Sequence, residues 1–295
     1  MRSLASSGAL HDCRASRRCG ELRRDSYGAR WAVVLCVAGS LSAVGQQIED
    51  RSTEHKSYSG VRELIIDNVT GWIEVSSGGN SVDVQVEKTL RARSQDRLSL
   101  AKREITLNET QQGGLVRLMV DGPFRNRGGG EAYEFEYNFK VKVPKNISLD
   151  LRTVNKSHIL VEGTSGEFRV NNVNGGIEMR EVEGFGSVHT VNGPVKVTFA
   201  RNPTGPVSFK SVNGVLDVSF RSGLNADVKM KTMNGGMYTD FPTSAMPVST
   251  VQPEQRDGKY IYRSNRMTGV RIGSGGPELS FETLNGEILI KNREK

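Results

Sequence analysis

Cysteine is absent from the chain beyond residue 36. The three cysteines are Cys13, Cys19 and Cys36. Residues 37–295 therefore offer no disulfide framework, no thiolate nucleophile and no cysteine-ligated metal site. A cysteine-free sequence suits an oxidising compartment, where free thiols are chemically vulnerable.

Proline and long apolar runs are also scarce. The chain has 9 prolines against 33 glycines, a balance that indicates many tight turns rather than extended linkers. Beyond the first 45 residues, no segment has the roughly 18 consecutive apolar residues that a membrane-spanning helix needs, so we expect no transmembrane segment in the mature chain. The hydrophobic share of 36% is that of a folded protein and excludes disordered and collagen-like classes.

The first 45 residues have the organisation of a secretory signal peptide. A basic segment with seven arginines precedes an apolar run at 31–41, and residues 42–45 are the small residues that a signal peptidase reads. We expect cleavage after Ala43 or Gly45, and export to the periplasm, the cell surface or the medium. The alternative is a cytosolic protein in which residues 31–41 form a buried strand.

Little charge remains once this segment is removed. Its seven arginines are opposed by three acidic residues, and taking this net +4 from the formal +7 leaves +3 for residues 46–295. Nucleic-acid binding domains concentrate basic residues on one face or along one helix. A charge this small and scattered argues against a nucleic-acid partner.

A four-residue motif recurs through the second half of the chain: threonine or serine, an aliphatic residue, asparagine, then glycine. The asparagines lie 19, 18, 21, 21 and 51 residues apart, and the last interval has room for two further units with a diverged corner. A degenerate copy occupies Asn68–Gly71. The other copies are Thr153–Lys156, Asn172–Gly175, Thr190–Gly193, Ser211–Gly214, Thr232–Gly235 and Thr283–Gly286.

Alternating apolar residues flank each copy. Val207 and Phe209 lead into one motif, and Leu216 and Val218 follow it with the alternation shifted by one residue. A period of two indicates strands with one buried face. The shift indicates a corner at Asn-Gly, where both residue types tolerate positive φ. On this interpretation Gly214→Val is strongly destabilising, because a β-branched residue resists positive φ.

Two architectures share this pattern. Each Asn-Gly is either a hairpin turn of an antiparallel β-meander or the corner of one coil of a β-solenoid with two strands per coil. Recurrence of the same residue types favours the solenoid, because stacked coils bring the asparagines into a column that hydrogen-bonds along the axis. We predict an all-β fold with a repetitive parallel β-solenoid over 151–295, the meander being the alternative.

Residues 46–150 are less regular and predict an N-terminal β cap. Strands are expected within 62–75, 82–86 and 115–120, and a long strand runs from Tyr133 to Val143 after a loop at 126–131. Between 90 and 107 the chain is charged and lacks glycine and proline. Leu98, Ala101 and Ile105 have helical spacing there, which predicts one short helix near 90–107.

The order of these features resembles the bacterial family of candidate adhesins designated DUF4097. The resemblance rests on Lys140–Leu151 (Lys-Val-Lys-Val-Pro-Lys-Asn-Ile-Ser-Leu-Asp-Leu) followed by serial Thr-x-Asn-Gly-x-Ile units, and it covers about residues 60–292. The chain departs from it at Lys156, which replaces a turn glycine, and in the long interval 236–282. The resemblance implies one continuous adhesin-like domain that is β-rich, repetitive and exported or envelope-associated. It defines no catalytic residues.

No residue pattern predicts catalysis or metal binding. His55, His158 and His189 lack the spacing of metal ligands, and the serine-hydrolase elbow and phosphate-loop motifs are absent. We expect no enzyme activity and no cofactor. A carbohydrate-active β-helix enzyme is the alternative, and it requires a converging carboxylate pair.

A converging carboxylate pair would have to occupy one row of the repeat, such as the position four residues after each asparagine. Its occupants mix charge and type, which is typical of a solvated face: Glu178, Lys196, Asp217, Tyr238 and Leu289. Asp227 and Asp240 lie at other positions of the repeat.

Aromatic residues are the candidates for a sugar-stacking surface, the alternative being that they fill the core or cover sheet faces. They are Tyr58, Trp72, Tyr133, Tyr137, Tyr238, Tyr260 and Tyr262. Arg263, Arg266 and Arg271 form a small basic patch suited to acidic wall polymer or lipid headgroups.

Taken together, the sequence predicts an exported, non-enzymatic cell-envelope protein, either adhesin-like or a structural interaction module. The expected partner is a cell-wall polysaccharide or an envelope protein. The alternatives are a carbohydrate-binding or carbohydrate-active β-helix protein and an envelope-stress sensor module.

Overall fold

The computed structural model describes residues 47–125, 133–246 and 267–294, together with the backbone of 254–256 and 259–261. The expected signal peptide over residues 1–45 and its cysteines lie outside the described residues. So do the loop 126–131, Tyr262, Arg263, Arg266 and the side chain of Tyr260. Within the described part, no helix is long and apolar enough to cross a membrane.

The described part of the N-terminal half contains nine strands, one helix, α1 (Gln95–Glu104), and one 3-10 turn at Pro123–Arg125. They are β1 (Ile48–Tyr58), β2 (Glu63–Asp67), β3 (Ile73–Ser77), β4 (Val82–Ala92), β5 (Thr106–Gln112), β6 (Leu115–Asp121), β7 (Tyr133–Val143), β8 (Ser148–Thr153) and β9 (Ile159–Glu162).

The strands of the C-terminal half are shorter, and most carry the repeated motif at one end. They are β10 (Phe168–Asn172), β11 (Ile177–Val182), β12 (Gly186–His189), β13 (Val195–Phe199), β14 (Val207–Lys210), β15 (Leu216–Phe220), β16 (Ala226–Asn234), β17 (Met237–Thr239), β18 (Thr243–Ala245), β19 (Glu254–Arg256), β20 (Lys259–Ile261), β21 (Thr268–Ile272), β22 (Glu278–Asn285) and β23 (Ile288–Asn292).

Two large sheets hold these strands. Sheet A has the order β1-β4-β7-β3-β9-β11-β13-β15-β23-β17, and sheet B has the order β18-β21-β16-β22-β14-β12-β10-β8-β2-β6-β5. Strands β19 and β20 form a separate hairpin. Each repeat gives one strand to sheet B and the next to sheet A, and neighbouring repeats pair in parallel. Ile177, for example, lies opposite Ile159 on one side and Val195 on the other.

This pairing confirms the all-β, solenoid-like fold, and the antiparallel meander is wrong for the repeats. A coil is here one sheet B strand with the sheet A strand that follows it, and coils are numbered in stacking order. Coils 1 to 5 are β2/β3, β8/β9, β10/β11, β12/β13 and β14/β15; coil 6 is β22/β23 and coil 7 is β16/β17.

Coil 1 comes from the region expected to be an irregular cap. Leu64 in β2 lies opposite Leu149 in β8, and Ile73 in β3 lies opposite Ile159 in β9, so the stack already begins at residue 63. Strands β4 to β7 form an insertion between β3 and β8, and this insertion adds strands to both sheets. Helix α1 belongs to the insertion, and its Leu98 is buried.

Coils 6 and 7 stack in the reverse of their chain order. β22 lies between β14 and β16, and β23 lies between β15 and β17. The interval 236–282 was expected to hold two further parallel units. It instead contains β17, the short strand β18, the hairpin β19–β20, and β21, which pairs antiparallel with β16 and β18.

Inward side chains of both sheets form one hydrophobic core. The rings of Phe199 and Phe220 stack with their centroids 5.0 Å apart, and Phe209 stacks on Phe281 at the same distance. Burying a side chain of this size contributes about 1.5–3 kcal/mol, and a ring pair adds about 0.5–1.5 kcal/mol. The contact of Phe281 with Phe209 stabilises the position of coil 6 next to coil 5.

The asparagines form the predicted column at the corners. Each side-chain amide nitrogen donates to the amide oxygen of the coil before it, over 2.7–3.0 Å; the five bonds join Asn155, Asn174, Asn192, Asn213, Asn285 and Asn234 in that order. The motif threonines and serine add a second set of bonds, as where Thr283 Oγ1 donates to the Gly214 carbonyl over 3.1 Å.

Four of the six motif glycines are required for a reason different from the one predicted, since only Gly71 and Gly235 have positive φ. Gly214 does not have positive φ. A Cβ built on it would overlap the carbonyl oxygen of Gly193 in the coil before. The coils approach so closely at this corner that there is no room for a side chain.

Candidate functional site

The outer face of sheet A carries the strongest candidate site. Because the strands pair in register, side chains at equivalent positions form rows that run along the stack. One row contains Leu160, Glu178, Lys196 and Asp217. It continues through Leu289 to Tyr238 at the far end. The predicted solvated column is therefore a real row on the surface of the sheet.

A shallow groove lies beside this row. Its floor comes from the adjacent row, where Gly176, Pro194 and Val215 occupy consecutive coils. Because these residues have no side chain or a short one, the surface of the sheet is lower here than at the longer side chains on either side. The depression has a volume of about 510 Å³ and an apolar floor, and we call it the outer groove.

Trp72 and His158 stand at one end of the outer groove. Their rings stack with centroids 6.1 Å apart and planes 23° from parallel. Trp72 is half-buried and His158 is exposed. His158 Nε2 lies 3.5 Å from Glu74 Oε1, which restrains the imidazole from the side. A flat aromatic surface of this kind suits the apolar face of a ring-shaped ligand.

A network of opposite charges borders the outer groove. Arg180 donates two bonds of 3.0 Å to the Glu178 carboxylate and a third of 3.0 Å to Glu162. Lys196 approaches Glu178 from the next coil, at 3.7 Å. The bonds from Arg180 lower the pKa of the Glu178 carboxyl, which keeps it ionised at neutral pH. An ionised carboxylate accepts hydrogen bonds from hydroxyl groups, whereas a general acid needs a raised pKa.

The outer face of sheet B carries a second, more polar depression of about 470 Å³. Ser187, Ser208 and Ser280 form a row along its floor, again because the strands are in register. Phe185 is exposed at its edge. This surface lacks an aromatic pair comparable to Trp72 and His158, so it is the weaker candidate.

Most of the tyrosines with described side chains belong to the core. Tyr58, Tyr133 and Tyr137 are buried. Tyr133 donates to Glu104 Oε2 over 2.6 Å, and burial raises the pKa of Tyr137. Tyr238 is exposed at the end of sheet A. Among the aromatics of the sequence-based set whose side chains are described, Trp72 alone lies beside the outer groove, through its contact with His158.

The remaining candidates are dispersed. His55 and His189 are exposed and lie away from the outer groove, and His189 faces outward as the alternation predicts. Arg271 of the expected basic patch donates to both Asp227 carboxylate oxygens, over 2.7 and 3.0 Å. Asp240 accepts a bond from the Asn292 backbone. The part of the chain that the structure describes has no group of three or more His, Cys, Asp or Glu that could hold a metal ion.

Sequence reasoning missed the floor of the outer groove. The signal was present, because Gly176, Pro194 and Val215 each lie two residues after a repeat asparagine. Small or apolar residues at that position of the repeat produce a depression in the outer face of sheet A.

The comparisons with known proteins give the following result. No protein-family model matches the sequence, and no curated protein matches it. A solved structure of a candidate cell adhesion protein from Clostridium sporogenes ATCC 15579 is similar at a TM-score of 0.39 and 12% identity, over 83% of this chain and 100% of that chain. A candidate adhesin from Bacteroides fragilis NCTC 9343 has the same TM-score and identity, over 82% of this chain and 97% of that one. The fold assignment rests on the strand pairing described above.

Proposed function

We propose that this protein is an exported, non-enzymatic cell-envelope protein that acts as an adhesin-like interaction module, and that it binds cell-wall polysaccharide along the outer groove. The observation that carries the proposal is the Trp72–His158 pair at the end of an apolar groove bordered by charged side chains. Aromatic rings contact the C–H faces of sugars. Paired carboxylate and guanidinium groups bind the hydroxyls at the edges.

The direction of the outer groove supports a linear ligand. The groove crosses the strands of coils 2 to 5, and Trp72 extends it to coil 1. Strands in one sheet lie about 4.8 Å apart, so five successive strands span roughly 19 Å. An extended oligosaccharide segment fits a groove of this length better than a single small metabolite does.

The proposal of export is supported by residues 1–45, whose basic, apolar and small-residue segments have the order of a signal peptide. It is tested by expressing the full chain in a bacterial host, fractionating the cells and determining the N-terminus of the product. We expect a product that begins at Val44 or Gln46 in the exported fraction. A product that keeps residues 31–41 in the cytosol would contradict export.

The ligand is tested by sedimentation of the purified protein with insoluble cell wall and with a panel of polysaccharides, while released sugar is assayed in the same tubes. We expect saturable pelleting without sugar release. Trp72→Ala should weaken the interaction at least about tenfold, the loss typical of a central aromatic contact. Tyr238→Ala is the matched control, because Tyr238 is an exposed aromatic of sheet A outside the outer groove.

An equal loss of binding in Trp72→Ala and Tyr238→Ala would contradict the outer groove as the binding site. Release of sugar would overturn the non-enzymatic assignment. Absence of pelleting with every polymer would contradict a polysaccharide ligand and favour a protein partner of the envelope. Melting curves of both variants show whether any loss reflects unfolding.

A further inference from the structure

The asparagine column ends at Asn234, and this last position differs from the interior ones in its side chain. Asn192 is held on both sides, since its Nδ2 donates to Asn174 and its Oδ1 accepts from Asn213. Asn234 donates to Asn285 over 2.7 Å, but no described residue donates to its Oδ1. Its side-chain amide is therefore restrained on one side only.

Gly235, which follows Asn234, also differs from the glycines after the other asparagines in its hydrogen bonding and exposure. The backbone N–H groups of Gly193, Gly214 and Gly286 each donate to the asparagine carbonyl of the next coil, over 3.0 Å. The N–H of Gly235 has no acceptor among the described residues, and of the other four glycines only Gly175 shares this feature. Gly235 is also exposed, whereas the glycines after the other four asparagines are half-buried.

These two differences concern the atoms that react when an asparagine deamidates. The backbone nitrogen of the following residue attacks the side-chain amide carbon Cγ, a new C–N bond forms, and ammonia leaves with the proton lost by the nitrogen. Water then opens the resulting succinimide at one of its two carbonyls, giving aspartate or isoaspartate. Glycine favours the attack because it has no side chain to obstruct the approach. An N–H that is hydrogen-bonded and packed under another coil must first be released.

We propose that Asn234 is a deamidation site, and that stacking of the next coil protects the other Asn-Gly pairs of the column. Asn192, Asn213 and Asn285 have their neighbouring glycine nitrogens bonded to the next coil. Gly175 has no such bond, but it is half-buried against Gly193 of the next coil, and the Asn174 side chain is held on both sides by Asn155 and Asn192. At Asn234 no described residue accepts from the attacking nitrogen or donates to the side-chain oxygen, and Gly235 is exposed.

The change has a structural consequence at the end of the stack. The carboxylate formed at position 234 cannot donate to Asn285 Oδ1, and it places a negative charge beside that oxygen. Isoaspartate also lengthens the backbone immediately before β17, whose only partner in sheet A is β23. We therefore expect the strand pairing of coil 7 to weaken as Asn234 deamidates, while coils 1 to 6 keep their pairing.

The test is a time course in mildly alkaline buffer, followed by peptide mapping with mass spectrometry at all five Asn-Gly pairs. In the folded protein, Asn234 should deamidate at least about tenfold faster than Asn192, Asn213 or Asn285, which is the effect of one hydrogen bond of the usual strength. In denaturant the rates should converge, since all five sites share the Asn-Gly pair and each asparagine follows an apolar residue without aromatic character.

Two results would overturn the proposal. One is equal rates at all five pairs in the folded protein, and the other is an interior asparagine that reacts before Asn234. Asn234→Gln and Asn213→Gln are the matched variants. Only the first should abolish the early acidic species on ion exchange, and melting curves confirm that both variants are folded.

Discussion

The corner glycines show how one residue type can be required for reasons that the sequence does not distinguish. Glycine at a turn is consistent with positive φ, and it is equally consistent with a close contact. Gly214 belongs to the second class, because a Cβ there would overlap the Gly193 carbonyl. The position of the corner could be read from the sequence, but the reason for the glycine depends on what the next coil places over it.

Gly214→Ala is expected to destabilise the protein by about 1–3 kcal/mol, because the added methyl group forces two coils apart where their backbones meet. Gly78→Ala is the matched control, since Gly78 has no atom within 4 Å of a built Cβ and does not have positive φ. Urea denaturation of both variants measures the difference. A free energy of unfolding equally unaffected by both substitutions would show that the coils are farther apart than described.

At the scale of elements, the antiparallel pair β16–β21 covers the end of sheet B. Arg271 in β21 donates to both carboxylate oxygens of Asp227 in β16. Those bonds lower the pKa of the Asp227 carboxyl from its ordinary value of 3.8. A lowered pKa means that the folded protein releases this proton more readily than the unfolded chain does. The stabilisation is therefore present above about pH 3.8 and is lost as the pH falls through the lower folded value.

We expect backbone amides of β21 to exchange faster with solvent at acidic pH than near neutrality, after correction for the intrinsic pH dependence of exchange. The amides of β12 in the middle of the stack should change much less, because their protection does not depend on this ion pair. Asp227→Asn should remove most of the pH dependence at β21. An unchanged pH dependence in that variant would assign the effect to another group.

The elements also show where prediction from sequence succeeds and fails. Alternation around the motifs predicted strands such as β14 and β15 and the corner between them, because buried and exposed positions differ in residue type. The outer groove follows from the sequence only when the residues two positions after each repeat asparagine are compared as a row. Gly176 and Pro194 form part of its floor because the register of β11 and β13 makes them neighbours.

At the scale of the whole molecule, the main feature is the exchange of order between coils 6 and 7. Thr232–Gly235 and Thr283–Gly286 carry the same motif, so the motif alone does not determine which of them follows Ser211–Gly214. The structure places the later segment inside. The aromatic side chain distinguishes them, because Phe281 continues the ring column of Phe209, whereas coil 7 has Met230 at the equivalent position.

Phe281→Ala is accordingly expected to cost about 3–5 kcal/mol of folding free energy, the usual loss for a fully buried ring. Met230→Ala should cost less, because Met230 lies in the outermost coil and is 6% exposed, whereas Phe281 is completely buried. Urea denaturation of both variants gives the comparison. The opposite ranking would contradict the interior position of coil 6.

The exchanged order of coils 6 and 7 also affects how the chain reaches its folded state during synthesis. Asn213 and Asn285 are 72 residues apart in the chain and are bonded neighbours in the column. Until residues 278–292 have been synthesised, coil 5 lacks its partner in both sheets, and β16 of coil 7 has only β21 to pair with among its described neighbours. The stack therefore cannot close in chain order, because coil 6 has to enter between two segments that were made before it.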